Sequence, residues 1–503
     1  MPTQTRTVET DTAAEELESA LAAAAAAAGP FAALPPKERA GMLAAVAEGL
    51  DAAAGELVPI AMSESGLPEA RLRGELTRTA TQLRMFVEVL ADGHYAGVVV
   101  DRADPDFVLG PRPELRRAKF GIGPVLVFAA SNFPFAFSVA GGDTASALAA
   151  GCPVVLKAHP GHPELSARTG RIVTEALRGA GAPDGTFAVV FGVDTGIAAL
   201  RDPRIAAAAF TGSVPAGRAL GDIAASRPVP IPFYGELGSI NPAIATPSAI
   251  AARGPEIAAG YVGSFTLGAG QFCTSPGLFF LPAGHGLEGA LTDGAAAVPN
   301  ARMLTDGVHA GYVMRRAEVV AAPGVRILAE GATADGLAVA PTLVATDIRA
   351  LLEHRDELLD EVFGPLSIVV EYPDVEDLMT VVDQLPGSLT ATLHTGPDDG
   401  AELAPLVQAL RSRVGRLLFN GWPTGVAVTP AMHHGGPYPS TTASLHTSVG
   451  ATAIERFLRP VVYQDAPEAL LPAELREDNP LGLPRTVNAA GESSRWGRPV
   501  IPG

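Results

Sequence analysis

Short apolar segments alternate with helical segments between residues 124 and 213, and this alternation limits the possible fold more than any other feature of the chain. In chain order the segments are PVLVFAAS, DTASALAAG, CPVVLKA, ELSARTGRIVTEALRGAG, FAVVFG and AAAAFTGS. The apolar segments have the length of buried strands, and the longer amphipathic segments have the pattern of helices. Strand–helix alternation of this kind predicts parallel βαβ units in a doubly wound α/β sheet.

The flanking regions have a different character. Helical patterns dominate the first ninety or so residues, where the alanine-rich N-terminal helix is expected to end at Gly29-Pro30. From Val98 the segments VVVD, DPD and LRRAKFGIG predict a β-hairpin. A second α/β region is expected from Asn241 to about Pro430, and residues 479–503 are rich in turn residues and are expected to form an irregular tail.

Length and charge restrict the function. A chain of 503 residues is too long for one compact core, so two or three domains are predicted. The net charge of −18 argues against nucleic acid or an anionic membrane as a partner, so an anionic substrate needs a local cationic or amide-rich pocket. The two cysteines, Cys152 and Cys273, exclude a disulfide framework and a cysteine-rich metal site, which fits a reducing compartment.

No targeting or membrane segment is predicted. Acidic residues precede the N-terminal alanine run, the reverse of the basic start of a signal peptide. Asp143, Lys157 and several prolines interrupt the apolar stretches before they reach the ~20 residues of a membrane span. The sequence therefore predicts a soluble cytoplasmic protein.

Two strand ends carry residues suited to a nucleotide. Phe210-Thr-Gly-Ser ends an apolar strand, and Gly217 follows in the next helix, so backbone N–H groups could face a phosphate. This segment lacks the G-x-G-x-x-G spacing and is equally a tight strand–helix turn. Lys157 ends CPVVLKA, where open α/β sheets bind ligands, although a solvated lysine is the simpler interpretation.

Three other polar positions could take part in chemistry. Glu236 lies in the mostly apolar segment IPFYGELGSINP, where a carboxylate would have a raised pKa and could act as a base, or could bond to local backbone. Asn132 follows a strand and could donate to an oxyanion or serve as a turn residue. The pair His433-His434 has no carboxylate or cysteine at metal-binding spacing, so no metal is predicted.

Cys273 lies in GQFCTS (residues 270–275), directly after a run of small residues. It could be a small buried hydrophobe or a nucleophile that small neighbours leave accessible. No single position decides between these interpretations.

The motifs taken together are more specific. In order, SNFPFAFS, CPVVLKAHP, FTGS with Gly217, YGELGSINP, GAGQFCTS and EVFGPLSIV resemble the aldehyde dehydrogenase superfamily from about residue 15 to 465. The resemblance extends to the branch that oxidises α-ketoglutaric semialdehyde (2,5-dioxovalerate) to 2-oxoglutarate. That part is carried by GELTRTATQLRMF, by FNGWPTGVAVTPAMHHGGPYPSTT and by TSVGATAIERFLRPVVYQ.

The resemblance implies a mechanism. Cys273 is implied as the nucleophile that forms a thiohemiacetal and, after hydride transfer to the nicotinamide, a thioester. The Asn132 amide and the Cys273 backbone N–H would hold the oxyanion. Glu236 would activate the water that hydrolyses the thioester. The small residues before Cys273 would then give aldehyde and nicotinamide access to its sulfur.

The same resemblance implies a nicotinamide dinucleotide site and a domain plan. The cofactor-binding residues would be Lys157, Gly212, Ser213, Gly217, Glu361 and Phe363. The implied domains are a Rossmann-type nucleotide-binding domain (1–96 and 121–240), an α/β catalytic domain (241–430) and a β-hairpin oligomerisation arm with a tail (97–120 and 460–503). A homodimer or homotetramer is expected.

The chain departs from the family pattern at two places. Pro160 stands where NAD-preferring relatives often have a glutamate, so a 2′-phosphate would meet no like charge and NADP is expected to be accepted, with NAD possible. No arginine is an evident phosphate clamp, and Asp194 lies in a neighbouring loop. Ser239 replaces a glycine near Glu236, which puts the mobility of that carboxylate in question.

Other activities remain open from the sequence. The substrate could be succinic or glutaric semialdehyde or an aliphatic aldehyde. A CoA-acylating dehydrogenase would usually lack the Glu236 carboxylate. A cysteine hydrolase or acyltransferase would need a histidine near Cys273, for which His433 and His434 are available.

The segment GELTRTATQLRMF offers a site for the far carboxylate of a semialdehyde acid. Glu75, Arg78 or Thr79, Gln82 and Phe86 recur at helical spacing and would share one face. A solvated face with a Glu75–Arg78 ion pair is the simpler interpretation. The functional hypothesis is that Arg78, Gln82 and Phe137 bind the substrate.

Overall fold

The computed structural model describes residues 11–331 and 336–496 of the chain. The domain assignments made from the sequence also include residues 1–10, 332–335 and 497–503, which lie outside these described ranges. The helices are α1 (Ala14–Ala32), α2 (Pro36–Ala52), α3 (Ala54–Ser65), α4 (Glu69–Asp92), α5 (Gly142–Ala149), α6 (Pro163–Gly179), α7 (Val193–Arg201), α8 (Val214–Ser226), α9 (Pro247–Thr266), α10 (Glu288–Ala296), α11 (Asp306–Ala321), α12 (Ile348–Glu353), α13 (Arg355–Leu358), α14 (Val375–Val382) and α15 (Ala404–Arg411).

The strands form sheets separated along the chain. They are β1 (Val98–Asp101), β2 (Leu115–Gly121), β3 (Val125–Phe128), β4 (Val154–Lys157), β5 (Phe187–Val190), β6 (Ala207–Thr211), β7 (Phe233–Glu236), β8 (Ala243–Ala245), β9 (Leu278–Pro282), β10 (Ala301–Arg302), β11 (Arg326–Glu330), β12 (Ala338–Val339), β13 (Thr342–Asp347), β14 (Leu366–Tyr372), β15 (Ser388–His394), β16 (Val414–Phe419), β17 (Leu458–Gln464) and β18 (Arg485–Asn488).

The predicted alternating segments form a five-stranded sheet of order β5-β4-β3-β6-β7, in which every neighbouring pair is parallel. The predicted doubly wound sheet is therefore confirmed. The chain adds β4 and β5 on one side of β3 and adds β6 and β7 on the other. This reversal opens a crevice beyond the carboxyl ends of β3 and β6, where such sheets bind ligands.

The second α/β region contains a seven-stranded sheet of order β11-β13-β14-β9-β8-β15-β16. The edge strand β11 is antiparallel to β13, and the other pairs are parallel. Its central strands are apolar along their whole length, for example LFFLP in β9, because helices cover both faces. The short strands β10 and β12 form a separate antiparallel pair.

The predicted hairpin is present, since β1 and β2 pair antiparallel. They belong to a four-stranded sheet of order β17-β2-β1-β18. The expectation of a wholly irregular tail is wrong, because β18 pairs parallel with β1 through residues such as Val487, opposite Val100. The sequence RTVN has only four residues between turn signals, too few for its periodicity to identify a strand.

Helix α1 does not end at Gly29-Pro30, as the sequence suggested. Pro30 lies inside its last turn, and the Ala33 backbone N–H still bonds to the Gly29 carbonyl at 3.1 Å. The Phe31 side chain is 1% exposed in the core shared by the N-terminal helices and the five-stranded sheet. Burial of Phe31 holds this turn in place although proline removes one helical hydrogen bond. Among the helices of the described ranges, none has the length and apolar character needed to span a bilayer.

Candidate active site

Residues from four parallel strands meet at one edge of the five-stranded sheet. Lys157 is the last residue of β4 and Glu236 the last of β7. Asn132 follows β3, and Gly212 follows β6. Because parallel strands end at the same edge, residues as far apart in the chain as Asn132 and Glu236 line one crevice.

Cys273 enters this crevice from the loop before β9 and is partly exposed. The preceding residues Gly268, Ala269 and Gly270 have φ of 58°, 58° and 67°. A Cβ on Gly270 would lie 2.1 Å from the Gly364 carbonyl oxygen. The backbone therefore requires small residues here, because of its left-handed conformation and its close approach to Gly364. Their predicted role in giving substrates access to the sulfur stays a prediction.

Asn132 faces the nucleophile loop. Its Nδ2 donates to the Gln271 carbonyl at 3.2 Å, and its own backbone carbonyl accepts from Arg71 Nη2 at 2.7 Å. The Arg71 guanidinium lies over the rings of Phe133 and Phe272. Asn132 is thus fixed from both sides and keeps one amide N–H for a ligand.

Glu236 is buried, and both of its carboxylate oxygens have partners. His434 Nε2 lies 3.0 Å from Oε1, and the Ser448 hydroxyl donates to Oε2. Burial raises the pKa of Glu236, but the facing His434 and the hydrogen bonds from His434, Ser448 and Cys273 outweigh it and hold the pKa below its ordinary value. The sequence-based expectation of a raised pKa is wrong, because the partners His434 and Ser448 are about two hundred residues away in the chain.

His434 joins Glu236 to Cys273. Its Nε2 lies 3.5 Å from Cys273 Sγ, and the reactive atoms of the three residues all lie within 4.8 Å of one another. From the sequence, no carboxylate or cysteine was expected at metal-binding spacing from His433-His434, and His434 was only one of two histidines available to Cys273; the structure brings Glu236 and Cys273 to His434. The 3.0 Å separation of Nε2 and Oε1 is within hydrogen-bonding distance, and Nε2 donates to the carboxylate when it carries a proton. The absence of a resident metal stays a prediction.

The Cys273 thiol is strongly perturbed. Burial raises its pKa well above the usual range, and the nearby carboxylates of Glu236 and Glu361 raise it further. A thiol in this environment keeps its proton near neutral pH unless a base removes it.

Two polar residues near Glu236 organise the backbone. The Ser239 hydroxyl donates to Asn241 Oδ1 at 2.7 Å and accepts from the Leu389 N–H at 2.8 Å. Asn241 Nδ2 donates to the carbonyls of Cys273 at 2.8 Å and Ser275 at 3.0 Å. Ser239 therefore ties the loop after β7 to β15 and, through Asn241, to the nucleophile loop.

The residues predicted to hold the dinucleotide have side chains and backbone groups of the types that bind such a ligand. Gly212 and Ser213 are exposed at the start of α8, and Ser213 is its N-cap. Gly217 packs so closely that a Cβ would lie 2.1 Å from Leu237 Cδ2. The Lys157 side chain is buried, and among residues 11–331 and 336–496 its ammonium has no hydrogen-bond acceptor. An open helix N-terminus and an uncommitted cation are suited to phosphate and ribose.

Glu361 and Phe363 lie on the other side of Cys273, lining a cleft with Phe272 and Ser239. Burial raises the pKa of Glu361 to about 8, although the Ser239 backbone N–H lowers it. A Cβ on Gly238 would approach Glu361 Oε2 to 2.8 Å, so the glycine leaves room for this carboxyl. Among the described residues no cation pairs with Glu361, so its carboxyl is available for the hydroxyls of a ribose.

Helix α4 brings the predicted substrate residues to the site. The Arg78 guanidinium lies 5.3 Å from the Phe137 ring centre, and that ring lies 6.3 Å from His434. Within the described part of the chain, the hydrogen bonds of Arg78 are both long, at 3.5 Å to Gln82 Oε1 and 3.5 Å to the Val426 carbonyl. Its charge acts on Cys273 and Glu236. Gln82 is buried beneath it, with Nε2 directed towards Gly142 and unpaired.

Glu75 does not lie on a solvated face, so that simpler interpretation is wrong. Its side chain is buried, and Oε1 accepts from the backbone N–H groups of Phe135 at 2.8 Å and Ala136 at 3.0 Å. Burial raises its pKa to about 7 against these hydrogen bonds and the charges of Arg71 and Arg78. Glu75 thus anchors the loop that carries Asn132 and Phe137.

Sequence reasoning missed three contributors, namely Arg71, His434 and Ser448. Arg71 could have been found, because it is four residues before Glu75 and seven before Arg78 on the same helical face. His434 was noted as half of a histidine pair and as one of two histidines available to Cys273 in a hydrolase, without its contact to Glu236. Nothing in the pattern around Ser448 indicates that its hydroxyl reaches Glu236.

Comparison with known proteins agrees with this geometry. A family model described as "Aldehyde dehydrogenase family" matches residues 3–460. An α-ketoglutaric semialdehyde dehydrogenase 2 of Azospirillum brasilense is 46% identical over 92% of this chain and 89% of its own length. An α-ketoglutaric semialdehyde dehydrogenase of Acinetobacter baylyi is 43% identical over 90% of this chain and 87% of its own.

Solved structures show the same fold. The lactaldehyde dehydrogenase of Escherichia coli matches with a TM-score of 0.78 at 22% identity, over 91% of this chain and 92% of that one. Aldehyde dehydrogenase 21 of Physcomitrella patens matches with a TM-score of 0.76 at 22% identity, over 90% and 91% of the two chains. With the family model covering most of the sequence and relatives above 40% identity, the chain belongs to the aldehyde dehydrogenase family and is an enzyme of that type.

Proposed function

We propose that this enzyme oxidises α-ketoglutaric semialdehyde (2,5-dioxovalerate) to 2-oxoglutarate. Two relatives bearing that activity in their names are 46% and 43% identical over about nine-tenths of the chain. The observation that carries the proposal is Arg78 on α4, whose hydrogen bonds within the described ranges are long, at 3.5 Å, and whose charge interacts with Cys273. Such a cation suits a substrate with a carboxylate remote from its aldehyde.

In the proposed reaction, Cys273 Sγ attacks the aldehyde carbon and forms a thiohemiacetal. The free Asn132 amide N–H and the Cys273 backbone N–H stabilise the oxyanion, and one such donor typically contributes ~10²–10³ in rate. The nicotinamide, when bound, supplies the hydride acceptor. Glu236, ionised at neutral pH because its pKa is lowered, accepts a proton from the water that attacks the resulting thioester.

The dinucleotide would be held by residues from both sheets. Lys157 would contact the adenosine ribose, and the turn from Gly212 to Gly217 would face the phosphates. Glu361 and Phe363 would hold the nicotinamide end. We propose NADP as the coenzyme, with NAD also accepted, because the exposed Pro160 offers no carboxylate to a 2′-phosphate. Asp11 opposes this preference, since its charge acts on Lys157.

We propose that the four-stranded sheet is the subunit contact of a homodimer or homotetramer. Supporting this, Val462 on β17 and Val487 on β18 are about half exposed, at 53% and 49%. The sheets also support the predicted division into a nucleotide-binding domain, a catalytic domain and an arm. Light scattering after size-exclusion chromatography tests the assembly. Two free cysteines fit a reducing compartment, and on that basis we place the enzyme in the cytoplasm.

The deciding experiment is a steady-state panel that follows reduced nicotinamide absorbance. The substrates are 2,5-dioxovalerate, succinic and glutaric semialdehydes and pentanal, each with NAD and with NADP. The highest kcat/KM is expected for 2,5-dioxovalerate. Cys273→Ala should remove turnover but retain coenzyme binding, while Cys152→Ala should keep turnover, because Cys152 is fully buried behind the sheet. A higher kcat/KM for pentanal would contradict the substrate assignment.

A further inference from the structure

One imidazole nitrogen contacts both a nucleophile and a carboxylate in this molecule. His434 Nε2 lies 3.0 Å from Glu236 Oε1 and 3.5 Å from Cys273 Sγ, on a side chain that is 1% exposed. The backbone of His434 is fixed as well. Its N–H donates to Thr447 Oγ1 at 2.8 Å, and its carbonyl accepts from the Ser448 N–H at 2.9 Å. The ring therefore has little freedom to turn away from either partner.

The nucleophile needs a base. Burial and the neighbouring carboxylates keep the Cys273 thiol protonated near neutral pH, and the thiolate is the form that attacks a carbonyl. Glu236 is a weak candidate for this role, because its lowered pKa reduces its affinity for a proton. Its Oε2 accepts from the Ser448 hydroxyl and its Oε1 faces His434, and the Cys273 thiol also hydrogen-bonds to this carboxylate.

We propose that His434 accepts the proton of the Cys273 thiol, and that Glu236 stabilises the imidazolium that results. The Sγ–H bond breaks with its electron pair left on sulfur, and an Nε2–H bond forms. The new Nε2–H then donates to Glu236 Oε1, and the proton later passes to solvent. The step starts from the neutral tautomer of His434 that carries its proton on Nδ1, so that Nε2 accepts from the thiol and the hydrogen bond from Nε2–H to Glu236 Oε1 forms only after the transfer. It needs no oxidant or reductant. It deepens the proposed function and rests on Cys273 being its nucleophile.

The charged residues around Cys273 and His434 belong to several elements. Arg78 of α4 and Arg416 of β16 both act on Cys273 and favour its thiolate. Glu361, in the loop before β14, opposes the thiolate. His433 is adjacent in the chain, and its pKa is lowered mainly by burial. A base placed between Cys273 and Glu236 lets the thiolate form beside an imidazolium, which offsets the repulsion from the carboxylates.

Alkylation of the coenzyme-free protein by iodoacetamide tests the proposal directly. The rate at Cys273 is measured by peptide mass spectrometry from about pH 5.5 to 9.5, since alkylation follows the thiolate fraction. Cys152, the one other cysteine, is fully buried and should not react, so it is the internal check that the protein stays folded. In His434→Gln we expect the rate at pH 7 to fall at least tenfold, about one unit of thiol pKa, with the profile displaced to higher pH. The matched control His433→Gln should stay within about twofold of wild type.

The result can overturn the proposal in two ways. An unchanged profile in His434→Gln would show that His434 is not the base. Loss of neutral-pH alkylation in Glu236→Gln together with its retention in His434→Gln would assign the role to Glu236. If Cys152 becomes reactive in His434→Gln, the variant is misfolded, and His434→Asn is measured against the same two outcomes. Because neither aldehyde nor coenzyme is present, failure here is separable from failure of the proposed substrate.

Discussion

The side-chain amide of Asn132 donates a 3.2 Å hydrogen bond to the backbone carbonyl of Gln271, two residues before Cys273. This contact joins the strand end of one sheet to the nucleophile loop that leads into the other. It commits one amide N–H and orients the second, which is the arrangement that a preorganised oxyanion donor requires. The hydrogen bond between Asn132 and Gln271 thus fixes the position of the predicted oxyanion donor relative to the loop that carries Cys273.

Removing this amide should slow the chemistry. We expect Asn132→Ala to lower kcat by roughly 10²–10³, since an oxyanion donor is lost. Steady-state kinetics measures the effect, and Ser131→Ala, one residue earlier in the same loop, is the control. A kcat for Asn132→Ala within about threefold of wild type would place the oxyanion elsewhere.

Glu236→Gln should separate the two halves of the reaction. Reduced nicotinamide should form in a burst close to one per active site, after which turnover should stall because the thioester is not hydrolysed. Rapid-mixing absorbance measures the burst, and mass spectrometry of the quenched enzyme detects the acyl group on Cys273. The burst should also be slower than in wild type, because His434 loses its carboxylate. Steady turnover at the wild-type rate would mean that another group activates water.

Arg78 and Arg71 should differ in their effects. Arg78→Met should raise KM for 2,5-dioxovalerate by roughly one to two orders of magnitude and leave pentanal nearly unaffected, because a charge-assisted hydrogen bond of ~1.5–3 kcal/mol is lost. Arg71→Met should instead lower kcat for both substrates, since Arg71 holds the Asn132 carbonyl at 2.7 Å. Gln82 should act through Arg78, which it orients from below. Equal losses for both aldehydes in Arg78→Met would make Arg78 structural.

Glu75 should make stability depend on pH. Its pKa rises from 4.5 to about 7 on folding, so the folded chain keeps a proton that the unfolded chain releases between these values. Its contribution is therefore complete below pH 4.5 and is lost as the pH rises through 7, by roughly 3 kcal/mol. Glu75→Gln, which stays neutral and keeps the acceptor oxygen, should flatten this dependence in denaturant unfolding. Glu75→Ala should be destabilised at every pH, because the Phe135 and Ala136 N–H groups lose their acceptor. If the free energy of unfolding of wild type and of Glu75→Gln changed with pH in parallel, the assignment to Glu75 would be contradicted.

Asp11 should bias the choice of coenzyme. Its charge acts on Lys157, and its carboxyl packs against Gly192, where a Cβ would lie 2.7 Å from Asp11 Cγ. We expect Asp11→Asn to raise the NADP-to-NAD ratio of kcat/KM by roughly threefold to thirtyfold, since a negative charge is removed near the site proposed for the 2′-phosphate. Asp194→Asn, in the neighbouring helix α7, is the comparison. An unchanged ratio in both variants would leave Pro160 as the discriminating position.

The sequence by itself determined the architecture. The alternation of apolar and amphipathic segments from 124 to 213 specifies parallel strands with helices on both faces, because strand and helix periods bury different sets of side chains. It also placed Lys157 and Gly212 at strand ends, while the strand that ends at Glu236 was not predicted. The resemblance carried by GAGQFCTS and EVFGPLSIV agrees with the family found by comparison. These are local features, and local patterns are sufficient to identify them.

Only the tertiary structure decided the electrostatics of the site. A pKa depends on partners within a few ångströms, and those of Glu236 are His434 and Ser448, 198 and 212 residues away in the chain. The sequence therefore gave the wrong direction for Glu236, and it treated Glu75 as solvated although folding buries it against the Phe135 backbone. The contact of His434 with Cys273 likewise exists only because the 434–448 loop closes over β7, and no periodicity in the chain records that approach.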